Sequence, residues 1–136
     1  MCYNIIGDTM NTFIDNKSVE IKVCKTIFSR FKGLMFENEI NEILCFPKCN
    51  SIHTLFMFKP IDVYMTDKYF NIKYIYRNLK PWNIILPKKD AYYTFEFPVN
   101  IVNYKLNEKI IIKKDWKLNL FYILILNWYY IRTINS

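Results

Sequence analysis

Glycine is nearly missing from this chain, with only Gly7 and Gly33 among 136 residues. No glycine-rich phosphate loop, dinucleotide fingerprint or nucleophile elbow occurs, which removes the common nucleotide-dependent and serine-hydrolase classes. Tight turns must instead use Asn and Asp, which tolerate left-handed backbone better than other side chains. The Asn-rich stretches 38–41 and 103–107 fit that need. Histidine is scarcer still: His53 stands alone, so no paired-histidine metal motif is present. Arginine is limited to Arg30, Arg77 and Arg132, and the other basic residues are lysines scattered along the chain. Readers of bases and phosphates favour the guanidinium fork over the ammonium point charge. The net charge of +7 is therefore read as weak affinity for polyanions, with no specific nucleic-acid partner. Four cysteines (Cys2, Cys24, Cys45, Cys49) are too few for a disulfide scaffold at this length. The start carries Asp8 and Asp15 and lacks a basic stretch leading into an apolar run, so the expected location is cytoplasmic.

What is abundant is apolar surface. Hydrophobic residues make up 52% of the chain, including 11 Phe, 11 Tyr and 3 Trp, enough for a packed core in a single domain. Residues 1–17 show no period and read as a lead-in. From Ser18 to Val23 the alternation is clean, Val19, Ile21 and Val23 against Ser18, Glu20 and Lys22, as in a half-buried strand. Ser29 can cap a short helix near residues 29–36, with Phe31, Leu34 and Met35 on one face. Ile43–Phe46 is a brief apolar run stopped by Pro47. Ser51–Phe58 carries apolar groups on both alternating faces and reads as a strand buried on both sides. Ile61–Thr66 and Tyr69–Arg77 read as a hairpin turning at Asp67-Lys68. Tyr92–Phe97 gives a further strand, Ile101–Leu106 a helical turn, and Lys109–Ile112 a last strand. Short strands with little helix predict a mainly β domain over residues 18–112, a curled sheet or barrel-like unit with one short helix.

Two segments carry a resemblance. Phe28-Ser29-Arg30-Phe31-Lys32-Gly33-Leu34-Met35-Phe36 is similar to the opening motif of the domain of unknown function 192 family. Cys49-Asn50-Ser51-Ile52-His53-Thr54-Leu55-Phe56-Met57, followed by Pro60-Ile61-Asp62-Val63, is similar to its second motif, and Pro81 and Glu96 continue the pattern. The likeness covers roughly residues 19–112. It implies a small β-rich single domain, found in bacteria and archaea, with no agreed activity and so no catalytic residues to transfer. A bacterial source is the expectation. Asn100 stands where glycine is usual in that family, and Asn107-Glu108 replaces a Gly-Asp turn; Asn can adopt positive φ, so the fold can survive both.

Several groups could carry chemistry. Cys45, Cys49 and His53 form a C-x3-C-x3-H series of zinc-type ligands, with Cys24 or Asp62 as a possible fourth. Pro47 keeps Cys45 and Cys49 off one continuous helix, the ligand count is incomplete, and no cofactor is expected. Cys49 and His53 could form a nucleophile and base in a thiol- or zinc-dependent hydrolase. In an extended strand, however, they stand about 13 Å apart. Arg30 and Asp62 are the charged members of the two motifs. Arg30 either clamps an anionic ligand or pairs with Asp62 or Glu96. The leading expectation is a non-enzymatic module for an unknown small ligand or protein, with Arg30, His53, Thr54 and Asp62 as polar lining and Phe56 and Met57 as walls. The tail, residues 113–136, is apolar from Leu118 to Ile131, flanked by Lys113, Lys114, Lys117 and Arg132. As a helix that run spans about 21 Å, short of the roughly 30 Å hydrocarbon core. It suits membrane-surface contact through residues 116–132, or packing on the domain or on a second copy.

Overall fold

The computed structural model describes residues 9–113. The expected apolar tail beyond Lys113, with its membrane and self-association readings, lies outside the described residues. Folding begins upstream of Ser18. Strand β1 (Thr9–Ile14) forms an antiparallel hairpin with β2 (Lys17–Val23), so these six residues belong to the sheet and not to a lead-in. The hairpin turns on Asp15 and Asn16 at φ 49° and 61°, the primed two-residue geometry that matches strand twist. Asn and Asp thus supply the turn that glycine usually would.

Helix α1 (Ile27–Lys32) follows. Its N-cap is Thr26, not Ser29: the Thr26 hydroxyl accepts the Ser29 N–H at 3.0 Å, and the Ser29 hydroxyl accepts the Thr26 N–H at 3.1 Å. This reciprocal pair is a capping box, with serine in the place usually held by Glu or Gln. The helix is a crossover, because β3 (Ile43–Pro47) pairs parallel to β2.

The chain then departs from the expected long strand over Ser51–Phe58. Only Ile52–His53 is extended (β4). At Thr54 the backbone turns away: Thr54 N–H donates to Asn83 O at 2.8 Å, and the Thr54 carbonyl accepts from Trp82 N–H and Met57 N–H. Phe56 sits at φ 59°, and Phe56 and Phe58 are exposed while Thr54 and Met57 are buried. An apolar run fits a folded turn as well as a strand, and side-chain alternation alone does not tell them apart.

The hairpin β5 (Ile61–Thr66) and β6 (Ile72–Leu79) forms with Asp67 at its turn, the Asp67 carboxylate accepting the N–H groups of Tyr69 and Asn71. A short β7 (Ile84–Ile85) pairs with β4. Strand β8 (Tyr93–Pro98) lies between β5 and β3, and β9 (Ile112–Lys113) closes against β1. The seven-stranded order is β6-β5-β8-β3-β2-β1-β9, one curled sheet of a mainly β domain. Residues 101–106 form no helical turn: Val102 and Tyr104 pack on the core, and the Tyr104 ring meets Tyr64 and Phe97 edge-on. The last strand begins only at Ile112, since Ile110 is spent donating its N–H to Phe70 O.

Both faces of the sheet are covered. Ile43, Cys45, Tyr64, Phe95 and Phe97 belong to one buried cluster, and Leu44, Phe46, Ile61, Val63 and Met65 to the other. The period of two sorts each strand between them. Glu96 lies opposite Leu44 and Val63, and Thr94 opposite Phe46 and Met65, so both point into the second cluster, beneath α1.

Candidate functional site

The centre of the sheet holds an unusual side chain. Glu96 is 4% exposed, and its Oε2 is buried without a hydrogen-bond partner. Burial pushes its carboxyl up from 4.5 to about 8, so it is mostly protonated at neutral pH. Gly33 lies above it. This residue ends α1 at φ 47° and ψ −125°, a conformation that L side chains rarely adopt. A Cβ there would stand 3.5 Å from the Phe46 ring and 3.8 Å from Glu96 Oε2. Both are ordinary contact distances, so the backbone conformation, and not a lack of room, is what calls for glycine here.

Between α1, the β3–β4 connection and β8 is a cavity of about 70 Å³. Its polar lining is Arg30, Cys49, Ser51, His53, Thr94 and Glu96, and its apolar lining includes Phe31, Leu34, Phe46 and Met57. This is smaller than the roughly 300–1,000 Å³ of drug-sized sites, and suits several waters or the end of a ligand. His53 Nδ1 is buried without a partner, like Glu96 Oε2. The other polar groups have committed their protons. Cys49 Sγ donates to Ser51 O at 3.0 Å, and Thr94 Oγ1 donates to Cys49 O at 2.8 Å. The Arg30 guanidinium donates to Pro47 O at 3.0 Å and Lys48 O at 3.2 Å. Arg30 thus ties α1 to the end of β3, and among the described residues it forms no ion pair with Asp62 or Glu96.

The expected site is only partly assembled. Arg30, His53 and Met57 line the cavity, whereas Thr54, Phe56 and Asp62 do not. Thr54 is a buried staple, its hydroxyl donating to Lys80 O at 2.7 Å and accepting Asn83 N–H at 2.9 Å. Asp62, fully buried, accepts the N–H groups of Asn78 at 2.7 Å and Asn100 at 2.9 Å, both residues at positive φ. Its role here is to hold two turns. Asn100 and Asn107, at φ 65° and 66°, adopt the left-handed backbone expected of positions where the family carries glycine.

The cysteine series does not converge. Cys45 belongs to the cluster on the opposite face, and burial holds its thiol well above the ordinary range. Cys24 is pushed up to about 11 by burial and then by the Glu96 charge. Cys49 and His53 do both line the cavity. Among the described residues, no three His, Cys, Asp or Glu side chains gather to hold a metal ion. Sequence reasoning noted Glu96 as part of a pattern but did not place it, or Thr94, in the site. The signal was available: a carboxylate between Phe95 and Phe97, the one charged residue in the run from Tyr92 to Pro98.

The family model for domain of unknown function 192, described as "Uncharacterized ACR", matches residues 10–109. A UPF0127 protein of Thermococcus sibiricus is 36% identical over 103 residues, covering 71% of this chain and 66% of that protein. One from Thermococcus kodakarensis is 34% identical over 89 residues, covering 61% of this chain and 56% of that protein. The chain thus matches less than two thirds of the length of either relative. Both organisms are archaea, so the relatives do not favour the expected bacterial source. Among solved structures, a candidate transcription regulator of Sinorhizobium meliloti superposes with TM-score 0.64 at 13% identity, covering 76% of this chain and 92% of that one. A protein of unknown function from Novosphingobium aromaticivorans gives 0.55 at 17%, covering 74% and 81%. At such identities the likeness extends to the fold alone. On the sequence match and the curled sheet together, the chain belongs to the domain of unknown function 192 family.

Proposed function

We propose that this domain is a non-enzymatic binding module that holds the polar end of a small ligand in the cavity between α1 and β8. The observation carrying this reading is that Glu96 Oε2 and His53 Nδ1, both buried and both without a partner, belong to the lining of one cavity. A buried polar atom left unsatisfied costs about 1–3 kcal/mol, and native structures rarely keep two together without a water or ligand to meet them. A thermal-shift screen of small metabolites tests it. A ligand of the site raises the melting temperature of the native protein and leaves Glu96→Gln and His53→Asn unmoved, following RT ln(1 + [L]/Kd). Equal shifts in all three proteins, or none in any, refute the reading.

A thiol hydrolase using Cys49 and His53 is the second reading, favoured by their shared cavity. Against it, the Cys49 thiol proton is engaged by Ser51 O. Alkylation of Cys49 faster than that of a model thiol at neutral pH, abolished in His53→Asn, would move the reading toward catalysis. Zinc content of protein purified without chelators tests the metal version. A cytoplasmic setting is supported by Cys24, Cys45 and Cys49 all being free thiols. No helix among the described residues is long and apolar enough to cross a membrane.

A further inference from the structure

Thr94 has spent its proton on Cys49 O and Cys49 its own on Ser51 O, so each presents lone pairs to the space beside it. The Arg30 fork is turned onto two backbone carbonyls. Glu96 Oε2 and His53 Nδ1 are the two buried atoms left without a partner; an ionised carboxyl oxygen accepts, and so does the unprotonated nitrogen of a neutral imidazole. Two buried atoms without a partner, with a carboxyl at the base of a small cavity and apolar walls beside it, fit a ligand that brings several donors on one small atom and an aliphatic stem.

We infer that the ligand end held here is a protonated primary amine, its N–H groups donating to Glu96, His53 and Thr94 and its alkyl stem lying along Phe31, Leu34 and Met57. This rests on the binding reading above and names the class of ligand. Entry of the ammonium converts a neutral carboxyl into one half of an ion pair, and the Glu96 proton leaves to solvent. The amine keeps its own proton throughout, so charge balances with one proton released per ligand bound. Below about pH 8, where the empty site holds that proton, affinity rises with pH; above it, affinity levels off until the amine itself deprotonates near pH ~10. The other charged or titratable groups around Glu96 are Arg30 and Lys32 from α1, Cys24 from the end of β2, Cys49 after β3 and His53 from β4. Lys32 is paired with Glu37 at 3.5 Å, and Cys24 stays neutral over this range. His53 also lines the cavity, and repeating the titration on His53→Asn separates its share.

The test is calorimetric titration of the full chain with butylammonium, butanol, butyrate and butyltrimethylammonium, from pH 5 to 9, in two buffers of different ionisation heat. The last probe carries the charge without any N–H. The expected result is saturable binding of butylammonium alone, close to one proton released at pH 6, and affinity rising about tenfold per pH unit up to about 8. Glu96→Gln, shown to be folded by its melting curve, loses the proton release and most of the affinity. Binding of butyrate or butanol in preference to butylammonium overturns the amine and leaves the binding module standing. Butylammonium binding that is unchanged in Glu96→Gln also overturns it. Silence from all four probes overturns the amine, and the metabolite screen then decides the broader reading separately.

Discussion

Replacing Glu96 by Gln removes a titrating group from the middle of the sheet while keeping its shape. The carboxyl is raised from 4.5 in an unstructured chain to about 8 in the folded domain. The folded state therefore holds a proton that the unfolded state releases. The sign follows from linkage: this contribution is fully present below pH 4.5, is lost progressively as pH rises to about 8, and is flat beyond. At about 1.4 kcal/mol per pH unit across that window, the full effect is about 5 kcal/mol. Domains of this size have about 5–15 kcal/mol in total, so the change is large enough to see directly. The assay is urea unfolding of native protein and Glu96→Gln at pH 5, 6.5 and 8, taking the difference at each pH so that other titrating groups cancel. The variant should lie close to native at pH 5 and exceed it by at least about 2 kcal/mol at pH 8, the margin allowing for relaxation around the buried charge. Parallel stability curves would refute the claim that this carboxyl is protonated in the fold.

Gly33→Ala puts a side chain on backbone at φ 47° and ψ −125° and should cost about 1–3 kcal/mol in the same unfolding assay, whereas Lys32→Ala, one residue earlier in the helix, should cost far less. Asp62→Ala leaves the N–H groups of Asn78 and Asn100 without their acceptor and should destabilise by about 2–4 kcal/mol, yet leave ligand-induced melting shifts intact, because Asp62 does not line the cavity. In a Cys2→Ser background, a thiol reagent at pH 8 should label Cys49 well before Cys24 or Cys45, whose thiols burial holds neutral; early labelling of Cys45, read by peptide mass, would contradict its placement.

The strands that alternated cleanly were legible from the chain. Val19, Ile21 and Val23 do face one cluster, and Tyr93, Phe95 and Phe97 pack together on that same face. The Asp67 turn and the use of Asn for left-handed backbone were readable for the same reason: side-chain period and turn chemistry are local. Ser51–Phe58 failed because its direction is set by contacts with Trp82 and Asn83, about thirty residues away, which no local pattern encodes. The helix start shifted by three residues because Thr26 and Ser29 cap each other, and either hydroxyl alone would have served.

The site divides along the same line. Sequence alone determined that the chain makes a β-rich sheet, that it lacks glycine loops and paired histidines, and that Arg30, Cys49 and His53 sit in motifs set apart from the surrounding pattern. Tertiary structure decided which of them meet. Pairing β8 between β5 and β3 puts Glu96 inside the sheet, and α1, the β3–β4 connection and β4 supply Arg30, Cys49 and His53 to the cavity it lines. The same pairing turns Cys45 to the far face and gives Asp62 to two distant backbone amides. Periodicity fixes the face of a strand on which a side chain lies. Only the packing of distant strands and turns decides what waits for it there.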